Sequence, residues 1–138
     1  HGTGRSLLNP TQTALFYSKV MNSEKDIDLK ALYSTAGQNK LKRFEGFIKR
    51  LVGAILLNID DKHIDEAGNW IVEAMEADKG HGMLFELGMD SVLYGKLLRR
   101  RNDKSGARET LANAVKIFHQ CGADGWVTRT EQQLANLA

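Results

Sequence analysis

Between Leu93 and Phe118 the chain reads LYGKLLRRRNDKSGARETLANAVKIF, two short amphipathic segments on either side of a polar turn. Small residues stand where two packed helices must approach: Gly95 in the first segment, Ala107 and Ala114 in the second. The axes of such helices come within about 8–10 Å, and a bulky side chain at the crossing would hold them apart. A weaker copy lies upstream. Ala67, Ile71, Ala74 and Met75 correspond to Ala107, Leu111, Ala114 and Val115 at an offset of 40 (67 to 107), and Gly53 and Leu56 to Gly95 and Leu98 at an offset of 42 (53 to 95). The difference predicts a turn two residues longer in the upstream unit, within NIDDKHIDE. Two units fall short of the roughly three that an array of repeats needs, so the N-terminal helices and a helix around Trp126 are expected to complete and cap the stack.

The remaining periodicity is also helical. Asn9-Pro10 suits a helix start, Asn as N-cap and Pro at the first helical position. The helix that follows carries Ala14, Leu15, Phe16, Tyr17 and Val20 and stops near Asn22-Ser23. Ile27, Leu29, Leu32 and Tyr33 predict a short second helix ended by Gly37. A long helix is expected from Gln38 to about Leu57, where Leu41, Phe44, Ile48, Leu51 and Ile55 recur at intervals of three and four, with Lys40, Lys42, Arg43, Lys49 and Arg50 around the other faces. The next helix carries Ile64, Ala67, Ile71, Ala74 and Met75 and breaks at Gly80 and Gly82. Met83 to Arg101 follows, with Leu84, Leu87, Ser91, Tyr94 and Leu98 on one face. Asp103 is a candidate N-cap for Ala107–His119, Gly122 a C′ glycine, and Asp124 a candidate cap for a last helix bearing Trp126, Val127, Thr130, Leu134 and Leu137. No stretch alternates as a half-buried strand does.

Size and composition narrow the function classes. At 138 residues, 42% hydrophobic and 26% charged, the chain suits one soluble globular domain with a full core. A net charge of +2 is too small to argue for nucleic acid. The single cysteine, Cys121, rules out an internal disulfide and a CxxC metal site, and fits a reducing compartment. No run reaches the roughly 18 apolar residues of a membrane span, and HGTGRS lacks the apolar core of a signal peptide. The first residue is His rather than Met, so the chain reads as a piece of a longer protein or one carrying appended residues at its start.

Chemistry-bearing constellations are sparse. Asp60, Asp61, His63, Asp65 and Glu66 crowd one turn, but they match neither HExxH nor an EF-hand loop, and acids are expected at a helix N-terminus. His1, His63, His81 and His119 form no HxH or HxxxH pair, and Cys121 near His119 has no orienting partner in the sequence. HGTGRS is not a phosphate-binding loop. No catalytic residue, metal ligand or cofactor is therefore expected. Lys96, Arg99, Arg100 and Arg101 form the densest charge cluster; it reads either as a solvated helix end favoured by the helix dipole or as a stripe that engages carboxylates or phosphate.

Tyr94, Gly95, Leu98, Ala107, Leu111 and Ala114 together resemble the pattern of a tetratricopeptide repeat. The terminal Pro of that pattern is absent, with His119 near its place, Ser91 stands for its early Trp, and the unit exceeds the usual period of roughly 34 residues. Over about Asn58 to Leu137 the sequence looks like the longer repeats at the C-terminal ends of large bacterial signalling ATPases, sensor kinases and cyclase-like proteins. The resemblance implies an all-α fold of antiparallel helix pairs stacked as a short right-handed solenoid. Residues 1–8 would be a disordered or appended terminus, and 9–138 one domain with units at about 41–79 and 83–121 and a capping helix at 124–137. It also implies a cytoplasmic, non-enzymatic scaffold that binds a protein or peptide, acidic by the charge cluster, with no membrane and no nucleic acid. Met89, Val92, Lys96, Arg99 and Arg100 match the groove-facing positions of the first helix of each pair. Two alternatives remain: a small-ligand sensor with its pocket between the Gln38–Leu57 helix and the first unit, and a homodimerisation module.

Overall fold

A computed structural model describes residues 14–22, 27–37 and 44–137. Among them every regular element is helical: α1 (14–21), α2 (Leu29–Gly37), α3 (Glu45–Ile59), α4 (Ile64–Gly80), α5 (Leu84–Arg100), α6 (Lys104–Gln120) and α7 (Asp124–Ala135). The Asn9-Pro10 helix start, the Ser23 stop, residues 1–8 and the 38–43 portion of the long helix lie outside the described residues.

The tightest neighbours are α3 with α4 and α5 with α6; α4 packs on α5, α6 on α7, and α3 also reaches α5 directly. Within each pair the glycines set the approach. A Cβ on Gly53 would lie 2.6 Å from Ile71 Cγ1, and one on Gly95 would lie 2.9 Å from Leu111 Cδ2. One helical stretch earlier, Gly46 sits against Asp78, and Gly88 against Phe118. The glycines therefore repeat at 42 residues (46 to 88, 53 to 95) and their partners at 40 (71 to 111, 78 to 118). Higher numbers in one helix meet lower numbers in its partner, so both pairs are antiparallel.

The two residues by which the offsets differ are shared out between helix and turn. α3 runs one residue further than α5 does at the same register, and the α3–α4 link, 60–63, has one residue more than the three-residue links that follow. Those later links, 81–83, 101–103 and 121–123, are built alike. Each places its middle residue in the left-handed region: Gly82 at φ 67°, Asn102 at φ 62° and Gly122 at φ 74°. Each closes the helix end with the same pair of backbone bonds. The N–H of Met83, Asp103 and Ala123 donates to the C=O of Asp78, Leu98 and Phe118 at 2.8, 2.9 and 2.9 Å, and that of Gly82, Asn102 and Gly122 to Lys79, Arg99 and His119. This is the Schellman arrangement, in which orphan carbonyls of the last turn find donors. Asp103 caps α6 by accepting from Gly106 N–H at 2.9 Å. Asp124 does not cap α7: it is the first helical residue and Ala123 holds the cap position, which leaves the Asp124 carboxylate near the N-terminal end of the helix dipole.

The core runs through both pairs and takes in Val20 of α1 and Leu32 of α2. In α6 three of the four residues expected inward, Leu111, Ala114 and Phe118, are buried together with Ala107, while the fourth, Val115, is half-buried. In α3 burial is continuous from Val52 to Leu57, because α4 covers one side and α5 another. Arg50, expected on an outer face, points inward, its side chain only 11% exposed. α5 departs from its expected face as well. Leu84 is exposed, Leu97 is fully buried and the polar Asp90 lies inside; Ser91 is buried as its place on the expected face implies, and is satisfied by donating to Leu87 C=O at 2.8 Å.

Candidate functional site

A groove of about 340 Å³ receives residues from α1, α3, α5 and α7. Its floor is Leu51 and Ala54 of α3 with Met89, Val92 and Leu93 of α5. Polar groups stand around that floor: Tyr17 from α1, Arg50 from α3, Lys96 from α5 and Gln133 from α7. Trp126 closes one side, its ring 5.9 Å from Phe118 and 6.4 Å from Phe85, with the Arg129 guanidinium 4.9 Å over its face. Aromatic faces with a cation above them are favourable at partly exposed sites.

Of the five groove candidates, Met89, Val92 and Lys96 line this groove. Arg99 lines a smaller adjoining hollow together with Lys96 and Gln133. Arg100 points elsewhere: it donates to the C=O of Leu57 and to the Asp61 carboxylate, tying α5 to the end of α3 and the turn after it. Arg101 likewise reaches Asp65 at 2.5 Å. The cationic run is thus divided. Arg100 holds the α3–α4 turn and Arg101 the first turn of α4, while Lys96 and Arg99 make no ion pair among the described residues.

The acidic turn is spent on structure in the same way. Asp60 Oδ1 accepts from the backbone of Lys62 and His63 and meets His63 Nδ1 at 2.8 Å; the His63 contact chiefly holds the Asp60 carboxyl below its ordinary range. Glu66 accepts from the Tyr33 hydroxyl. Burial, reinforced by that bond and by the Glu66 charge, raises the tyrosine's pKa. The acids of this turn therefore have separate partners, and no group of three metal-ligating side chains converges among the described residues.

Sequence reasoning missed a polar cluster behind the groove wall, where α3, α4 and α5 meet. Arg50 Nη1 lies 2.6 Å from Glu86 Oε2 and 3.0 Å from Asp90 Oδ1, and also donates to Glu86 C=O at 3.2 Å. Asp90 is fully buried and Asp78 is 1% exposed. Both Asp78 oxygens and Asp90 Oδ2 receive no N–H or hydroxyl donor from the protein. Burial drives the Asp90 pKa up to about 9, helped by the hydrogen bond to Asp78 and opposed by Arg50. Burial also raises Asp78, against the stabilising effects of Asp90 and Arg50. The signal was present in the sequence: at the offset of 40, Asp78 stands where the second unit has Phe118, an acid at a core position.

A second hollow of about 240 Å³ lies between α2, α3 and α4, beside the stacked rings of Tyr33 and Trp70 at 5.9 Å. Its one cation, Lys49, is held by Glu73 at 3.1 Å and Glu45 at 3.4 Å. Burial alone would lower the ammonium pKa, but the two carboxylates outweigh it and raise it.

No helix among the described residues is long and apolar enough to cross a membrane. Set against known protein-family models, curated proteins and solved structures, the chain matches none.

Proposed function

We propose that the chain is a protein–protein interaction module, a regulatory scaffold within a larger signal-transduction protein, whose helix pairs stack as a short tetratricopeptide-like solenoid. In this reading α3 and α5 are the first helices of successive units, α4 and α6 the second, and α7 opens or caps a third. The observation that carries it is the composition of the groove: its walls come from α3, α5 and α7, alternate helices of the chain, with α1 closing the N-terminal side. Stacked pairs present that surface, whereas a simple bundle buries it. The repeated glycine contacts at 42 residues and the like-built turns support the same arrangement.

The occupant proposed is an extended or helical peptide with an apolar anchor and acidic residues. Met89 and Val92 offer an apolar floor that adapts to a side chain. Among the described residues that line the groove and the adjoining hollow, Lys96 and Arg99 are cations that make no ion pair, so a ligand carboxylate meets them without displacing one. The α2–α3–α4 hollow fits a small-ligand sensor less well, because its Lys49 is already held by Glu45 and Glu73.

The test is selection of peptides from a random library on the immobilised chain, followed by affinity measurement on the double variant Lys96→Glu/Arg99→Glu. Like charges set against one another across an interface cost several kcal/mol, so the charge-reversed double variant should bind an acidic peptide at least about tenfold more weakly. Lys116→Glu, on an exposed part of α6, should retain it. Selected peptides that bind the double variant unchanged would remove the groove from the reading.

A further inference from the structure

The cluster behind the groove is short of positive charge. Three carboxylates, Asp78, Glu86 and Asp90, face one guanidinium, Arg50, and the two aspartates are buried. Among the described residues His81 of the α4–α5 turn also acts on Asp78, and its Nε2 lies 3.8 Å from Glu45 Oε2 on α3. Close approach by Gly46 leaves no room beside Asp78 for another cationic side chain, since even a Cβ there would fall on its carboxylate. Two adjacent buried carboxylates cannot both ionise at ordinary cost, and sharing one proton is the usual resolution. One proton on Asp90 Oδ2, donated to Asp78, pairs that oxygen with one of the two Asp78 oxygens that lack a donor, while Asp90 Oδ1 stays free to accept from Arg50.

We propose that this seam is a proton-operated joint between the two helix pairs: Asp90 on α5 and Asp78 on α4 share one proton, and its loss to solvent loosens the packing of α4 on α5. Each partner belongs to a different pair, so the shared proton is a bond across the interface between them. Arg50 belongs both to this cluster and to the groove wall, so titration of the joint acts on the groove.

The sign follows from linkage. The folded chain holds the proton more tightly than the unfolded one. Stability from this source is complete below the ordinary carboxylate range and falls as pH rises toward the folded value, by up to about tenfold in the folding constant per pH unit. Urea unfolding of the full chain from about pH 5 to pH 9 reads it directly. The wild type should lose stability steadily across that window. Asp90→Asn, whose amide donates permanently to Asp78, should flatten the slope and exceed the wild type at the alkaline end. His81→Gln should keep the slope. Should Asp90→Asn fail to fold, Asp78→Asn serves, because its amide donates to an ionised Asp90 held by Arg50. Infrared spectroscopy supplies an independent reading on the wild type: a protonated-carboxyl band at neutral pH that disappears on alkaline titration. A wild-type stability that is flat across the window, a slope retained in the asparagine variants or lost in His81→Gln, or the absence of that band would each overturn the proposal.

Discussion

Asp78 and Phe118 hold the same place in the two helix pairs, each at the near-C-terminal end of the second helix and each pressed against a glycine of the first, Gly46 and Gly88 respectively. In the downstream pair the position is filled by a ring that packs on Trp126 and Phe85. In the upstream pair it is filled by a carboxylate that faces Asp90. One backbone plan thus carries an apolar contact in one unit and a polar junction in the other.

That plan makes the glycines unequal. A Cβ on Gly88 would lie 2.5 Å from Phe118 Cε1, and the ring is fully buried between two aromatic neighbours, so it has nowhere to withdraw. Gly88→Ala should destabilise by about 1–3 kcal/mol through overpacking, in spite of the roughly 1 kcal/mol by which alanine favours a helix interior. Gly125 in α7 has nothing within 4 Å of its would-be Cβ. Gly125→Ala should therefore stabilise, by about 0.5 kcal/mol. Urea denaturation of both variants gives opposite shifts in midpoint; shifts of the same sign would contradict the packing described.

The three like-built turns differ in only one chemical respect that bears on strain. Gly82 and Gly122 meet a left-handed backbone without a Cβ, while Asn102 adopts it with one. Asn is among the residues that tolerate this conformation, so Asn102→Gly should change stability by only a few tenths of a kcal/mol. Gly122→Ala should cost about 1–2 kcal/mol. Thermal unfolding distinguishes them, and a Gly122→Ala variant as stable as the wild type would mean the α6–α7 turn is not built as described.

Arg100 should behave as a tether and not as a ligand-binding residue. It joins α5 to Leu57 C=O and Asp61 across the start of the α3–α4 turn. Its side chain is about one-third exposed and Asp61 is 89% exposed, so solvent screening leaves only about 1 kcal/mol for Arg100→Ala to lose. Peptide affinity in the groove should be unaffected. A variant that keeps its full stability but loses binding would return Arg100 to the groove.

How much of this was legible depended on how many neighbours a helix has. The α6 stripe was readable because α5 and α7 cover it from one broad side, leaving Arg108, Glu109, Asn113 and Lys116 in solvent. The face of α5 was only partly readable because α3, α4 and α6 all touch it, so burial spreads beyond one stripe to Leu97 and Asp90 while Leu84 stays exposed. Gly53 and Gly95 were readable as crossing points, but their companions Gly46 and Gly88 lie outside the segment of obvious similarity. The Lys96–Arg101 run looked uniform in sequence. Its division was set by the acids of a distant turn, Asp61 and Asp65, whose position relative to α5 only the fold determines. Arg50 was hidden for the same reason: its partners Glu86 and Asp90 come from another helix.

The central claim is that alternate helices build one groove with an apolar floor and free cations at its edge. The most direct measurement is binding of library-selected peptides to the wild type and to Lys96→Glu/Arg99→Glu, with Arg100→Ala as the control. The account predicts peptides rich in Asp and Glu around an apolar anchor, at least a tenfold loss of affinity in the charge-reversed chain, and none in Arg100→Ala. Peptides without acidic bias that bind the charge-reversed chain as well as the wild type would contradict it.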